Sequence, residues 1–122
     1  RRGEDAALRH LESKGWRLRR RNYRPGRAGE IDLVMEDPSG VLVFVEVKAN
    51  RGPGSGHPLE RVDGRKIRRL QRLAQRWCWE HHAEERDIRF DVVGVELEET
   101  LERVEHIENA FLPDGAGYYP SR

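Results

Sequence analysis

The sequence predicts an α/β or α+β sandwich in which helices pack on a central mixed sheet, in the order helix, three strands, helix, two strands. Three observations carry this expectation. Two segments space their apolar residues by three and four, several shorter ones alternate with period two, and Pro/Gly turn signals separate them.

The first helix is read in "GEDAALRHLESKGW", where Ala7, Leu8 and Leu11 follow Glu4 by three, four and seven residues and Gly15 supplies the stop. Glu4 thus falls on the apolar face, near the positive end of the helix dipole; an ordinary surface glutamate is the alternative. "WRLRRRNYR" interleaves β-type residues with arginines and suits an edge strand, closed by Pro25-Gly26. In "GEIDLVMED", alternation assigns Ile31, Leu33 and Met35 to one face and Glu30, Asp32 and Val34 to the other. "DPSG" turns this strand into an antiparallel neighbour.

That neighbour, "VLVFVEVKAN", puts Leu42, Phe44, Glu46 and Lys48 on one face and Val41, Val43, Val45 and Val47 on the other. The first face therefore changes from oil to a paired acid and base. "NRGPGSGHP", residues 50 to 58, reads as a mobile loop. A long helix follows from about Gly64 to His82, with Ile67, Leu70, Leu73, Ala74, Trp77 and Cys78 in its apolar sector. Lys66 stands at the edge of that sector, and Arg65, Arg69, Arg72 and Arg76 form a flanking stripe that a solvated face would also explain. "DIRFDVVGVEL" and "ERVEHIENAF" are read as the last two strands. Trp16, Trp77 and Trp79 are expected to pack, and Arg89 and Asp91 to pair on one strand face.

At 122 residues the chain holds one domain, taken as 1–112 with a tail at 113–122. Apolar residues make up 36% and charged residues 37%, which fits a compact core under an ionic surface rather than disorder. The net charge of +1 hides segregation: arginines crowd 17–27 and 61–76, while glutamates load 96–108. The lone Cys78 excludes an intramolecular disulfide and a Cys-rich metal site, and suits a reducing compartment. The longest apolar run is five residues, too short for a signal peptide or a membrane span, so a cytoplasmic protein with no membrane partner is expected. His81 and His82 beside Cys78 lack a third ligand at zinc spacing, and His57 is read either as a contact to nucleic acid or as a residue without a role, the second being the preferred reading.

Same-face residues on a strand lie roughly 6.6 Å apart, and adjacent strands about 4.8 Å apart. Asp32 can therefore face Glu46 and Lys48 across one strand pair. Carboxylates gathered on an otherwise apolar face need a compensating cation, and oxygen donors without His or Cys favour a hard ion, Mg²⁺ or Mn²⁺. The first helix, if packed on the same face, brings Glu4 to the group. Such an ion acidifies bound water and offsets charge on a phosphodiester, while a nearby lysine positions or activates the water.

"GEIDLV" followed by "LVFVEVK", a lysine opening the long helix in "RKIRRLQRLA", and "RFDVV" after it resemble the YraN-like family of small bacterial proteins, within the PD-(D/E)XK nuclease superfamily. The likeness runs over nearly the whole chain. It implies a restriction-endonuclease-like core related in fold to archaeal Holliday-junction resolvases, with a four- to five-stranded mixed sheet flanked by helices in the order αβββαββ. Carried over to this sequence, Asp32 and Glu46 would hold metal, Lys48 would be catalytic, and Glu4 would match the acid of the first helix. Ile31 stands where the family pattern has proline, and Ser55 before Gly56 where an aromatic is usual.

The resulting expectation is a Mg²⁺- or Mn²⁺-dependent endonuclease-like hydrolase, acting on DNA that is branched or single-stranded. Arg21 and Arg24 of the early strand, Arg51 at the glycine loop, and Arg65, Lys66 and Arg69 of the long helix would steer the phosphate backbone. Lys66 has an alternative role, snorkelling past the core edge. A binding module that keeps the fold without cutting, a purely structural ion-paired domain, and a homodimer cutting two strands all remain open.

Overall fold

In the computed structural model, which describes residues 2–51 and 62–111, the elements follow the expected order: α1 (Arg2–Ser13), β1 (Arg17–Tyr23), β2 (Ile31–Glu36), β3 (Leu42–Arg51), α2 (Gly64–Glu80), β4 (Ile88–Leu97) and β5 (Glu102–Phe111). The glycine loop at 52–61, with His57, and the tail from 112 lie outside the described residues, as does the Arg51 side chain.

The five strands stand side by side in chain order. β3 and β4 run parallel, joined through α2, and the other neighbours are antiparallel, so the sheet is mixed. The parallel pair is central and covered on both faces, which explains its unbroken apolar runs at 42–45 and 92–93. β1 lies at one edge, and its arginines supply the charge that discourages further strand pairing.

α2 covers one face. Ile67, Leu70, Leu73 and Trp77 pack on Tyr23, Ile31, Val34, Leu42, Phe44 and Phe90. Asp63 caps the helix by accepting from the Lys66 backbone N–H at 2.9 Å, which holds the first turn in place. Trp77 meets Phe44 edge-on at 6.0 Å, whereas Lys66, three turns earlier, sits over Glu46 at 2.6 Å. The helix therefore runs against the direction of β3, and its N-terminal end stands over the strand's charged half.

α1 covers the opposite face, with Ala6, Ala7 and Leu11 against Leu33, Met35, Val43, Val45 and Val93. This corrects the expectation that α1 shares the Glu46 face. Its approach is close: a methyl group added at Gly3 would lie 2.5 Å from Ala49 Cβ, so only glycine lets the first turn rest on β3. Two smaller expectations also change. Ile31 joins the α2 layer while Leu33 and Met35 join the α1 layer; Ile31 lies beyond the end of the β2–β3 ladder at Leu33, where strict alternation across the two strands no longer holds. Trp79 does not pack; it is 68% exposed, on the outer side of α2. None of the described helices is long and apolar enough to cross a membrane.

Candidate metal centre

A fork in the sheet builds the site. The β2–β3 ladder ends at Leu33 opposite Val45, while β3 continues to Arg51 paired with β4 alone. Beyond the fork the Val47 N–H has no β2 carbonyl to reach, and Asp32 Oδ2 accepts it at 2.8 Å. The bond satisfies a backbone donor and anchors the Asp32 carboxylate between the two strands. Glu46 and Lys48 follow Phe44 on the α2 face, where the covering helix runs out. This is why an oily strand face turns charged there.

Asp32 and Glu46 open into a cavity of about 380 Å³. Its walls are Lys66, Arg69 and Leu70 from α2, and Arg24, Gly26, Arg27, Gly29 and Glu30 from the segment between β1 and β2. Glu46 is 5% exposed, and its Oε2 lies 2.6 Å from Lys66 Nζ and 3.3 Å from Lys48 Nζ. Burial opposes charge on both lysines, with different outcomes. The hydrogen bond and charge of Glu46 outweigh burial at Lys66 and raise its pKa. At Lys48, burial and the neighbouring Lys66 prevail over Glu46, and its pKa is lowered.

Asp32 also belongs to a second group of acids. One carboxylate oxygen from each of Glu4, Glu30 and Asp32 falls within 4.8 Å of the others. Glu4 arrives from the far face because the first turn of α1 rests against the end of β3, where the sheet no longer separates the two layers. Asn22 ties this group together, its Nδ2 donating to Glu4 Oε1 at 3.0 Å and to Glu30 Oε2 at 2.6 Å. Its φ of 50° is left-handed, a conformation that asparagine tolerates. Arg21 bonds Asp5 at 2.8 Å and Glu4 at 3.5 Å, and Arg24 bonds Glu30 at 2.8 Å.

The crowding acts on Asp32. Burial first, then the charges of Glu46, Glu4 and Glu30, push its pKa up to about 7 despite the Val47 N–H. Such a carboxyl gives up its proton readily to a cation that relieves the repulsion. Oxygens 2.0–2.1 Å from one ion lie at most about 4.2 Å apart. Cis oxygens on an octahedral ion lie about 2.9 Å apart, so Glu4, Glu30 and Asp32 must draw inward to hold a hard divalent cation together.

Of the residues expected from sequence, the structure brings Glu4 and Asp32 together and sets Glu46, Lys48 and Lys66 beside them. Arg24 and Arg69 line the cavity, Arg21 is bound to acids, and Arg65 is exposed in the first turn of α2 outside the cavity lining. Sequence reasoning missed Glu30, Asn22 and Arg27. Glu30 shares the alternation of Asp32 and could have been found from it; Asn22 owes its place to a contact with α1 that no local pattern encodes.

The model of the uncharacterised protein family UPF0102 matches residues 3–95. A UPF0102 protein of Clavibacter michiganensis subsp. michiganensis is 50% identical over 95 residues, covering 78% of this chain and 79% of its own length. One from Frankia casuarinae is 47% identical over 110 residues, covering 89% and 92% respectively. Among solved structures, Pyrococcus furiosus SfsA in complex with Ca²⁺ aligns with a TM-score of 0.37 at 19% identity, over 86% of this chain and 58% of that protein, too slight a likeness to carry an argument. By family model and relatives alike, the chain belongs to the uncharacterised protein family UPF0102, the YraN-like family that its motifs resemble.

Proposed function

We propose that this protein is a Mg²⁺- or Mn²⁺-dependent nuclease that hydrolyses phosphodiester bonds in DNA, with branched or single-stranded forms as substrates. The observation that carries the reading is the fork itself. Acids from α1, β2 and β3 meet two lysines of opposite pKa shift at a cavity walled by arginines.

Asp32, Glu4 and Glu30 would hold the metal, with Glu46 next to Asp32 as a further oxygen donor. The bound ion supplies neutralisation of phosphate charge and a more acidic water. Lys48, whose lowered pKa gives it more of the neutral amine than an ordinary lysine, accepts the proton of the attacking water. Lys66 keeps its proton, holds Glu46 in place and presents positive charge to the phosphate. Arg24, Arg27 and Arg69 guide the backbone towards the fork. None of these contacts reads a base edge, which favours selection by strand structure rather than by sequence.

The test is cleavage of labelled duplex, single-stranded and branched DNAs with Mg²⁺ or Mn²⁺, with chelated controls and the Asp32→Asn and Lys48→Ala variants. Wild-type cleavage that falls by about 10²-fold or more in either variant supports the reading. Equal cleavage by all three proteins attributes the activity to a contaminant. Binding without cutting moves the protein to the non-catalytic module.

A further inference from the structure

On the α1 face, across the sheet from the metal centre, a line of hydrogen bonds runs from a buried carboxylate to a surface amine. Asp91 is 0% exposed, and its Oδ2 lies 2.7 Å from His106 Nε2. His106, whose side chain is 2% exposed, places Nδ1 2.8 Å from Nζ of the exposed Lys14. Arg89 and the Asn109 N–H also donate to Asp91, which leaves the carboxylate only accepting. Nε2 must then carry hydrogen, and Nδ1 must accept from Lys14. Trp16 sets its ring edge-on to His106 at 5.0 Å and fixes the imidazole plane.

We propose that Lys14 is a nucleophilic amine, activated by His106 and Asp91, that takes acyl groups from acyl phosphates or acyl thioesters. The hydrogen bond between Nζ and Nδ1 has room for one proton. When Nζ, exposed at the surface, is the neutral amine, it donates an N–H to Nδ1 and turns its single lone pair outward, and the ring that receives the N–H is held from its other side by Asp91. An amine, a base and a carboxylate that orients the base form the arrangement by which proteins activate weak nucleophiles. His10, the other titratable group at this ring, has its pKa lowered by burial and by the charges of Lys14 and His106, so it adds no positive charge to the line at neutral pH.

In the step, the Nζ lone pair attacks the acyl carbonyl carbon and a C–N bond forms. The bond from carbon to phosphate oxygen, or to thioester sulfur, breaks with its electron pair. Of the two protons that the lysine ammonium loses, one goes directly from the exposed Nζ to solvent, and the other passes to His106 Nδ1 as the C–N bond forms and then to the departing phosphate or thiol. No oxidant or reductant is required. The product is a neutral amide that has lost the charge of Lys14.

The chain has three lysines, Lys14, Lys48 and Lys66, so the test is direct. The full-length protein is treated with acetyl phosphate in one arm and S-acetyl-N-acetylcysteamine in another, with Nα-acetyl-lysine amide in the same tube. Peptide mass mapping follows acetylation at each position. Lys14 is expected to react at least tenfold faster than the free lysine reference in one or both arms. In His106→Asn it should fall to the reference rate, with Lys48 and Lys66 unchanged. A rise at Lys48 and Lys66 would mark an unfolded variant, in which case the wild-type ratio to the reference decides. A wild-type rate at or below the reference in both arms, or a fast rate that survives in folded His106→Asn, overturns the proposal.

Discussion

Lys66 Nζ stands 2.6 Å from Glu46 Oε2, closer than the 3.3 Å of Lys48, although Lys48 shares a strand with Glu46 and Lys66 comes from a helix on the far side of the cavity. The contact makes Lys66 the main partner of this buried acid and leaves Lys48 the more readily deprotonated amine. Lys66→Ala removes both the competitor for Glu46 and the positive charge that depresses Lys48. The pKa of Lys48 should rise, and the ascending limb of the cleavage pH–rate profile should move to higher pH. At neutral pH, cleavage should drop by about 10-fold or more. A variant whose profile overlays that of wild type would reduce Lys66 to an apolar stem with a solvated head.

Asp32 sets the stability of the metal-free protein. Its folded pKa, about 7, exceeds the unfolded value of 3.8. Folding therefore favours the protonated form: the site costs nothing below pH 3.8, and stability is lost as pH rises from there through 7. Asp32→Asn imitates the protonated form and should escape this loss. At pH 8 without metal the variant should melt higher than wild type by about 4 °C, corresponding to roughly 1 kcal/mol in a domain of this size. Below pH 4 the two should coincide. Adding Mn²⁺ at pH 8 should raise the melting temperature of wild type and leave that of Asp32→Asn unmoved.

Asn22 separates a backbone requirement from a side-chain function. Asn22→Gly keeps the left-handed φ of 50° available and deletes the amide between Glu4 and Glu30. Without that bridge the two acids repel and must be ordered by the metal, so calorimetric titration should find Mn²⁺ affinity about 10-fold weaker. Asn22→Ala loses the same amide and adds a backbone penalty of about 1 kcal/mol. It should match the glycine variant in affinity and fall below it in thermal stability. Unchanged affinity in both would show that the acids do not depend on Asn22 for their arrangement.

The comparison of sequence with structure turns on what local periodicity contains. Spacings of two and of three to four residues set the order and type of all seven elements, and alternation sets Glu46 and Lys48 on one face because a strand has no other choice. Periodicity is silent on which side of a sheet a helix will cover. α1 shows its apolar stripe plainly, yet Glu4 comes within reach of Asp32 from the opposite face, around the end of the sheet. Pairings between residues distant in sequence were equally hidden. Asn22 with Glu4 depends on a left-handed residue at the end of β1, and His106 with Asp91 on an irregular register between β4 and β5. The pairing of Arg89 with Asp91 was legible, since residues two apart on a strand share a face.

Asp91 extends that last case into a prediction about acid stability. Phe90 pairs with Phe111 and Val92 with Ile107, so one β4 residue faces a three-residue excursion of β5 whose middle residue, Asn109, has φ of 55°. Asp91 closes this irregularity by accepting from the Asn109 N–H at 2.9 Å, from Arg89 at 2.9 and 3.1 Å, and from His106 at 2.7 Å. Burial alone would raise the pKa of this carboxyl, but the bonds from His106, Arg89 and Asn109 prevail and lower it. A depressed folded pKa means that the stabilisation is complete above the unfolded value of 3.8 and is lost as pH falls through the folded one. Asp91→Asn discards it at every pH. It removes the charge facing Arg89 and puts an amide donor where donors already converge, a loss of about 3–5 kcal/mol. Urea denaturation at pH 7 should show that loss. On acidification the gap between wild type and variant should hold to about pH 4 and narrow only below it; a gap that stays constant to pH 2 would assign the stabilisation to the shape of the side chain rather than to its charge.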